Sequence, residues 1–171
     1  MQEKFTIVEG TVQSLDSFIL LLEEAGEWLW NKGVKQWAPG THQKSRGKKK
    51  HLVENGCLIL AYQQEELAGG CILSEVDPGW PRLSNEVLYL SALAVARFAA
   101  GKGLGTQIIN ACAETTRKRG KSLIRLDCWD GNDFLKSYYQ REGFKMLEAI
   151  EVSDYFVRLF EKNVDSVSAF Q

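Results

Sequence analysis

The sequence predicts an α/β fold: a single domain across residues 1–171, built on a mixed sheet of about seven strands with flanking helices. Three observations carry this. Residues 87–95 are apolar at both parities apart from Ser91, which is how a strand covered on both faces in mid-sheet reads. A glycine-rich turn and an amphipathic helix follow, then a second strand pattern at 123–128. A strand–helix–strand unit of this kind closes as a right-handed parallel crossover. Short strand patterns on either side supply antiparallel hairpins. With 171 residues, 44% hydrophobic and 25% charged, the chain has the length and composition of one globular core.

In chain order, residues 5–8 read as an opening strand. Leu15, Phe18, Ile19, Leu22, Ala25 and Leu29 then recur at helical spacing, with Ser14 placed to cap the helix. Gly33 and the segment 37–40 interrupt it. A more polar helix follows over about 43–54 and stops at Asn55-Gly56. Residues 58–62 and 70–73 form a hairpin across the polar stretch 63–66. Residues 77–81 (Asp-Pro-Gly-Trp-Pro) are a loop. After the central strand, the crossover helix buries Leu104, Ile108, Ile109 and Cys112 and ends at Arg119-Gly120. Leu135, Tyr138 and Tyr139 share one face of a short helix closed by Gly143. Residues 144–150 and 155–160 finish the sheet as an antiparallel pair.

Charge excludes some classes. Twenty-one basic side chains stand against 22 acidic, a net of −1, so nothing global attracts nucleic acid or an anionic membrane. No apolar run approaches the ~18 residues that span a bilayer. The start, Met1-Gln2-Glu3-Lys4, lacks the pattern of a secretory signal, so the expected location is cytoplasmic. Residues 44–50 hold five cations in seven positions. That run is read as a solvated helix face, with an acidic acceptor or a coenzyme phosphate as the alternative occupants. The four cysteines share no C-x-x-C pairing and the chain has two histidines, so no metal site is expected. Cys57, Cys71, Cys112 and Cys128 are read as buried thiols, with Cys128 a secondary nucleophile candidate.

The chemistry concentrates in Ala100-Gly101-Lys102-Gly103-Leu104-Gly105-Thr106. A buried strand ends just before this segment and a helix begins within it, so its amides and the helix dipole face any bound anion. One glycine suffices for a tight turn. Three at alternate positions let an anion approach the backbone without a Cβ in the way. The dinucleotide fingerprint needs glycine where Thr106 stands, and the P-loop needs Ser or Thr where Gly103 stands, so neither familiar nucleotide loop fits.

Leu93-Ala94-Val95 followed by Gly101-Lys102-Gly103-Leu104-Gly105 resembles the coenzyme A loop of the GNAT superfamily of N-acetyltransferases, written R/Q-x-x-G-x-G/A. Asn132, Leu135, Tyr139, Gly143 and Phe144 resemble the family's second stretch, and the resemblance covers about residues 86–145. It implies a GNAT-like acyl-CoA N-acyltransferase fold, in which the strand at 90–95 splays from its parallel neighbour at 124–128. It also implies acetyl-CoA as co-substrate, with the primary amine of a small molecule or amino-acid-like metabolite as acceptor; no nucleic acid or membrane partner is expected. By analogy Leu93 and Val95 hold pantetheine amides around Ala94, residues 101–106 hold pyrophosphate, and Asn132 touches the coenzyme from the far side. Ala100 departs from the family's Arg or Gln; Lys102 or Arg97 are the candidates to supply that charge. Superfamily members occur as monomers and homodimers. A binding module with little catalysis and a protein N-acetyltransferase stand as alternatives.

The reaction sets its own demands. An alkyl ammonium must lose a proton before it attacks a thioester, and the departing sulfur must be protonated. Tyr139 occupies the family position for the acid. Glu86, at the start of the central strand, is the first candidate base, with Glu75 second. Backbone N–H groups near Leu93 are the candidate oxyanion donors. Trp37, Trp80 and Trp129 are candidate walls of the acceptor pocket, with packing beneath loops as the alternative.

Overall fold

The computed structural model describes residues 4–77 and 79–165, so Met1, Gln2, Glu3 and Pro78 of the predicted loop lie outside the described residues. The chain runs β1 (Thr6–Gly10), α1 (Leu15–Asn31), α2 (Thr41–Lys44), α3 (Arg46–Glu54), β2 (Gly56–Gln63), β3 (Glu66–Ser74) and β4 (Val87–Val95). It continues through α4 (Leu104–Lys118), β5 (Leu123–Trp129), α5 (Asp133–Arg141), β6 (Lys145–Val152) and β7 (Tyr155–Asn163). Among the described residues the seven strands form one sheet, in the order β1-β2-β3-β4-β5-β7-β6. Neighbours are antiparallel except β4 and β5, the predicted parallel pair.

Periodicity decides which helix covers which face. Leu104, Ile108, Ile109 and Cys112 of α4 pack with Leu88, Leu90, Ile124, Leu126 and Tyr139 on one side. Leu15, Phe18, Ile19 and Leu22 of α1 and Val53 of α3 pack with Leu58, Leu60, Ile72 and Ala94 on the other. Each such aliphatic side chain contributes roughly 1.5–3 kcal/mol by leaving water. A smaller cluster of Trp80, Val87, Tyr89, Val157 and Leu159 covers the sheet near β7.

Two local expectations differ from the structure. Ser14 does not cap α1: it is helical (φ −84°) at the end of a 3-10 turn and makes no capping bond through its side chain. The helix expected at 43–54 is two, broken at Ser45, whose hydroxyl returns to the carbonyl of Thr41. Such local bonds compete with the helical ladder. The last two strands pair as predicted, and β7 is the one that meets β5. Val157, Leu159 and Phe160 are buried in β7, whereas β6 exposes Lys145, Glu148 and Glu151 and suits an edge.

The feature that shapes the site is a bulge in β4. Gly70 pairs with Ala94 and Ile72 with Ser91, so Ala92 and Leu93 both face Cys71. Ala92 takes a φ of 55°, in the left-handed region that a Cβ disfavours. Replacing Ala92 with valine should lower the unfolding free energy by about 2 kcal/mol, while glycine there should be neutral or stabilising. Denaturant unfolding of the two variants checks this.

Candidate active site

The parallel ladder between β4 and β5 holds for three pairs, Val87 with Leu123, Leu88 with Ile124 and Tyr89 with Arg125, and then stops. From Leu90 onward the two strands diverge, and the β4 edge facing β5 has no strand partner among the described residues. A cleft of roughly 930 Å³ enters there, lined by residues 90–95 on one side and Leu126, Asp127 and Cys128 on the other. It reaches the loop at Ala100, Gly101 and Gly103 and the first turn of α4.

The loop is built to admit an anion. Gly101 and Gly103 take φ values of 76° and 77°, and a Cβ on either would meet nothing within 4 Å. Gly103 precedes the first turn of α4 with no side-chain cap, and the N–H groups of Gly103, Leu104 and Gly105 have no acceptor among the described residues. Gly105 is needed for a different reason, since a Cβ there would collide with the Tyr138 hydroxyl. Thr106 turns its hydroxyl to Glu142 at 2.6 Å. Lys102 is exposed and does not line the cleft, whereas Arg97 does. Its guanidinium lies 3.8 Å from the centroid of Trp28, whose ring also carries Lys32 at 5.3 Å. Stacked in this way, Arg97 brings charge to the wall beside Ala100.

Tyr139 and Asn132 both reach the cleft. The Tyr139 ring packs edge-on against Phe144 and Tyr138 and tilted against Phe160, which fixes its position. Burial pushes its phenol well above the usual range, so it stays protonated at neutral pH. Asn132 caps α5 by accepting the Leu135 N–H at 3.1 Å, while its amide nitrogen donates to Gln36 at 3.3 Å. Cys128 also lines the cleft, but burial, with the Asp127 charge adding to it, pushes its thiol up to about 12. A thiol held neutral in this way is a poor nucleophile.

The carboxylates are not where the sequence suggested. Glu86 is exposed at the closed, paired end of β4, where its carbonyl accepts the N–H groups of Ser122 and Leu123, and it does not line the cleft. Glu75 is exposed and lies 3.6 Å from Lys121. Among the described residues, the carboxylate that lines the cleft is Asp127. Along β5, Ile124, Leu126 and Cys128 enter the core under α4, so Asp127 faces the side covered by α1 and α3. Burial raises its carboxyl to about 6, and the nearby Asp77 charge adds to the shift. Asp77 is raised as well, by burial, partly offset by the Gly79 N–H at 2.8 Å. The strand pattern Ile-Arg-Leu-Asp-Cys held a usable signal, because a lone acid in a central strand must be partnered or functional.

A second chamber of roughly 620 Å³ adjoins the cleft, with Trp37, Ser91 and Ala92 lining both. Trp37 lines both spaces and packs on α1 over Gly26. Trp80 and Trp129 line neither space. Trp80 is buried against Tyr89 with Arg125 over its ring, and Trp129 lies on Gly131, where a Cβ would strike its ring.

Comparison with known proteins agrees with this geometry. The model of the acetyltransferase (GNAT) family matches residues 22–144. The "uncharacterized N-acetyltransferase YesJ" of Bacillus subtilis (strain 168) is 30% identical over 174 residues, 95% of this chain and 95% of that protein. A GNAT-family acetyltransferase from Listeria monocytogenes superposes with a TM-score of 0.73 at 22% identity, covering 93% and 94% of the two chains. The PaiA N-acetyltransferase of Thermoplasma acidophilum, solved with coenzyme A, gives 0.70 at 19% identity over 94% and 99%. At these identities the two solved structures bear on fold alone.

The position of Asp127 has a measurable consequence for stability. Its folded-state carboxyl is raised to about 6, so the folded protein holds this proton more tightly than the unfolded chain does. Stability from this group is therefore present at low pH and lost as pH rises from the unfolded value through about 6. Asp127→Asn should stabilise the protein at pH 7.5 by on the order of 2 kcal/mol, with the gain vanishing near pH 4. Urea unfolding at both pH values checks the sign.

Proposed function

Since the chain belongs to the acetyltransferase (GNAT) family, we propose that it transfers acetyl from acetyl-CoA to the primary amine of a small molecule. The observation that carries this reading is the continuous cleft that joins an uncapped glycine loop to a buried carboxylate through parted strands. The coenzyme fits the groups present: Gly101, Gly103 and the first amides of α4 suit a pyrophosphate, Arg97 adds charge, and the free edge of β4 suits the pantetheine amides. Bound there, acetyl-CoA supplies a thioester whose carbon–sulfur bond gives way to a carbon–nitrogen bond.

Asp127 takes a proton from the acceptor ammonium, so that the nitrogen lone pair is free when it reaches the thioester carbon. With its carboxyl near 6, Asp127 is ionised at neutral pH yet basic enough for this task. Tyr139 gives its phenolic proton to the departing sulfur and is restored, through solvent, by the second proton that the nitrogen sheds as the amide forms. Amide N–H groups at Leu93, beside the bulge, are candidates to hold the carbonyl oxygen as charge collects there. The products are an acetamide, free coenzyme thiol and one proton. A second chamber adjoining the cleft at Trp37 has room for a metabolite-sized acceptor.

Thiol release from acetyl-CoA across a panel of amines tests the reading. Asp127→Asn should lower kcat/KM by about 10²–10³-fold and remove an acid limb with an apparent pKa near 6. Tyr139→Phe should cost about tenfold or more in kcat. Glu86→Gln should stay within about twofold of the wild type, since a solvated side chain outside the cleft has no proton to move. Tight coenzyme binding with no turnover on any amine would instead identify a binding module.

A further inference from the structure

The second chamber is walled by the helices of the basic run, and its polar groups do not suit an amine. His42 is 3% exposed, and neither ring nitrogen has a hydrogen-bond partner among the described residues. Its ring meets Trp37 edge-on at 4.6 Å. Burial, with the Lys49 charge adding to it, lowers the imidazole to about 4, so His42 is neutral and offers one N–H. Lys49 is 9% exposed, its ammonium tied to the Ser45 hydroxyl, and burial lowers it to about 8. It therefore remains largely charged at neutral pH. Glu23 faces these groups from α1, but its carboxylate accepts the Gly40 and Gln43 N–H groups at 2.9 Å each. The exposed Lys48 and His51 stand at the rim, and Asp77 on the side toward Asp127.

A buried ammonium beside an unpartnered imidazole costs free energy unless something compensates it. We infer that this chamber holds a carboxylate borne by the acceptor, so that the substrate is an amino acid or a similar amine–carboxylate compound, with its amine at Asp127 and its acid between Lys49 and His42. The inference rests on the acetyltransferase reading above and adds the substrate class. The charge count favours a carboxylate over a phosphate ester. Lys49 and the rim Lys48 together outweigh the Glu23 carboxylate by one charge and so match a monoanion, whereas a dianion would leave a charge uncompensated close to Asp77. Trp37, shared by both spaces, separates the two ends and suits an apolar middle. The basic run is thus divided between a solvated face and this pocket.

Matched acceptors test this directly: L-phenylalanine against phenethylamine, and β-alanine against O-phosphoethanolamine, each followed by thiol release. The carboxylated amine of the first pair should have about tenfold higher kcat/KM, and β-alanine should exceed O-phosphoethanolamine. Lys49→Met should bring the phenylalanine to phenethylamine ratio close to one by raising KM for phenylalanine. Lys49→Arg should restore part of it. Equal use of phenylalanine and phenethylamine, a preference for the phosphate ester, or an unchanged ratio in Lys49→Met would overturn the inference while leaving acetyl transfer intact. If no amine turns over, the acetyltransferase reading fails instead. Calorimetry of L-phenylalanine with the coenzyme-saturated protein then decides the chamber: binding lost in Lys49→Met supports it, and no binding, or binding unaffected by the variant, rules it out.

Discussion

Two strands that begin as hydrogen-bonded neighbours and then part are the constraint on which the site depends. β4 and β5 share three parallel pairs, and beyond Tyr89 and Arg125 their facing edges are released from one another. The separation needs support, because unpaired backbone inside a fold is expensive. The β4 bulge turns the strand away while keeping its antiparallel bonds to β3, with Ala92 held at a φ of 55°. The helices α4 and α1 hold the diverging strands from opposite faces through separate clusters. A cleft through the middle of a sheet thus has a rigid frame on every side.

Electrostatics divides that cleft into regions of different character. The glycine loop and the Arg97–Trp28 stack make one end anion-seeking. The middle holds Asp127, whose burial keeps it close to the pH at which proton exchange is fast in both directions. The far chamber carries Lys49 and neutral His42. Asp127 and Lys49 both give up stability to remain where they are, since each is shifted toward its neutral form by burial. Such offsets are expected where a structure is shaped for ligands as well as for folding.

Much of this was legible in the sequence, and the reasons are local. Residues 87–95 announced a doubly covered strand, the helix after the glycines showed its buried face, and the loop stood out by its three glycines. Less accessible was whatever depends on where strands end. Glu86 was attractive because it belongs to β4, but strand direction puts it at the paired end, away from the opening. Asp127 stands out in the sequence as a lone acid in an otherwise buried strand, but only the sheet shows that its parity aims it at the α1 face. Trp80 reads as loop, yet Tyr89 and Val87 draw it into a small core. Lys49 reads as one more surface cation, yet it is buried in the helix that follows the break at Ser45. Family membership was visible in the glycine loop and the Asn132-to-Phe144 stretch; the base and the acceptor chamber depend on tertiary placement.

A structure of the protein with coenzyme A and L-phenylalanine bound together tests the central claim most directly. The account predicts the diphosphate on the amides of residues 101–105, the sulfur in the opening between β4 and β5, and the amine facing Asp127. A sulfur on the outer surface of the sheet, or a carboxylate from the cleft other than Asp127 against the amine, would contradict it.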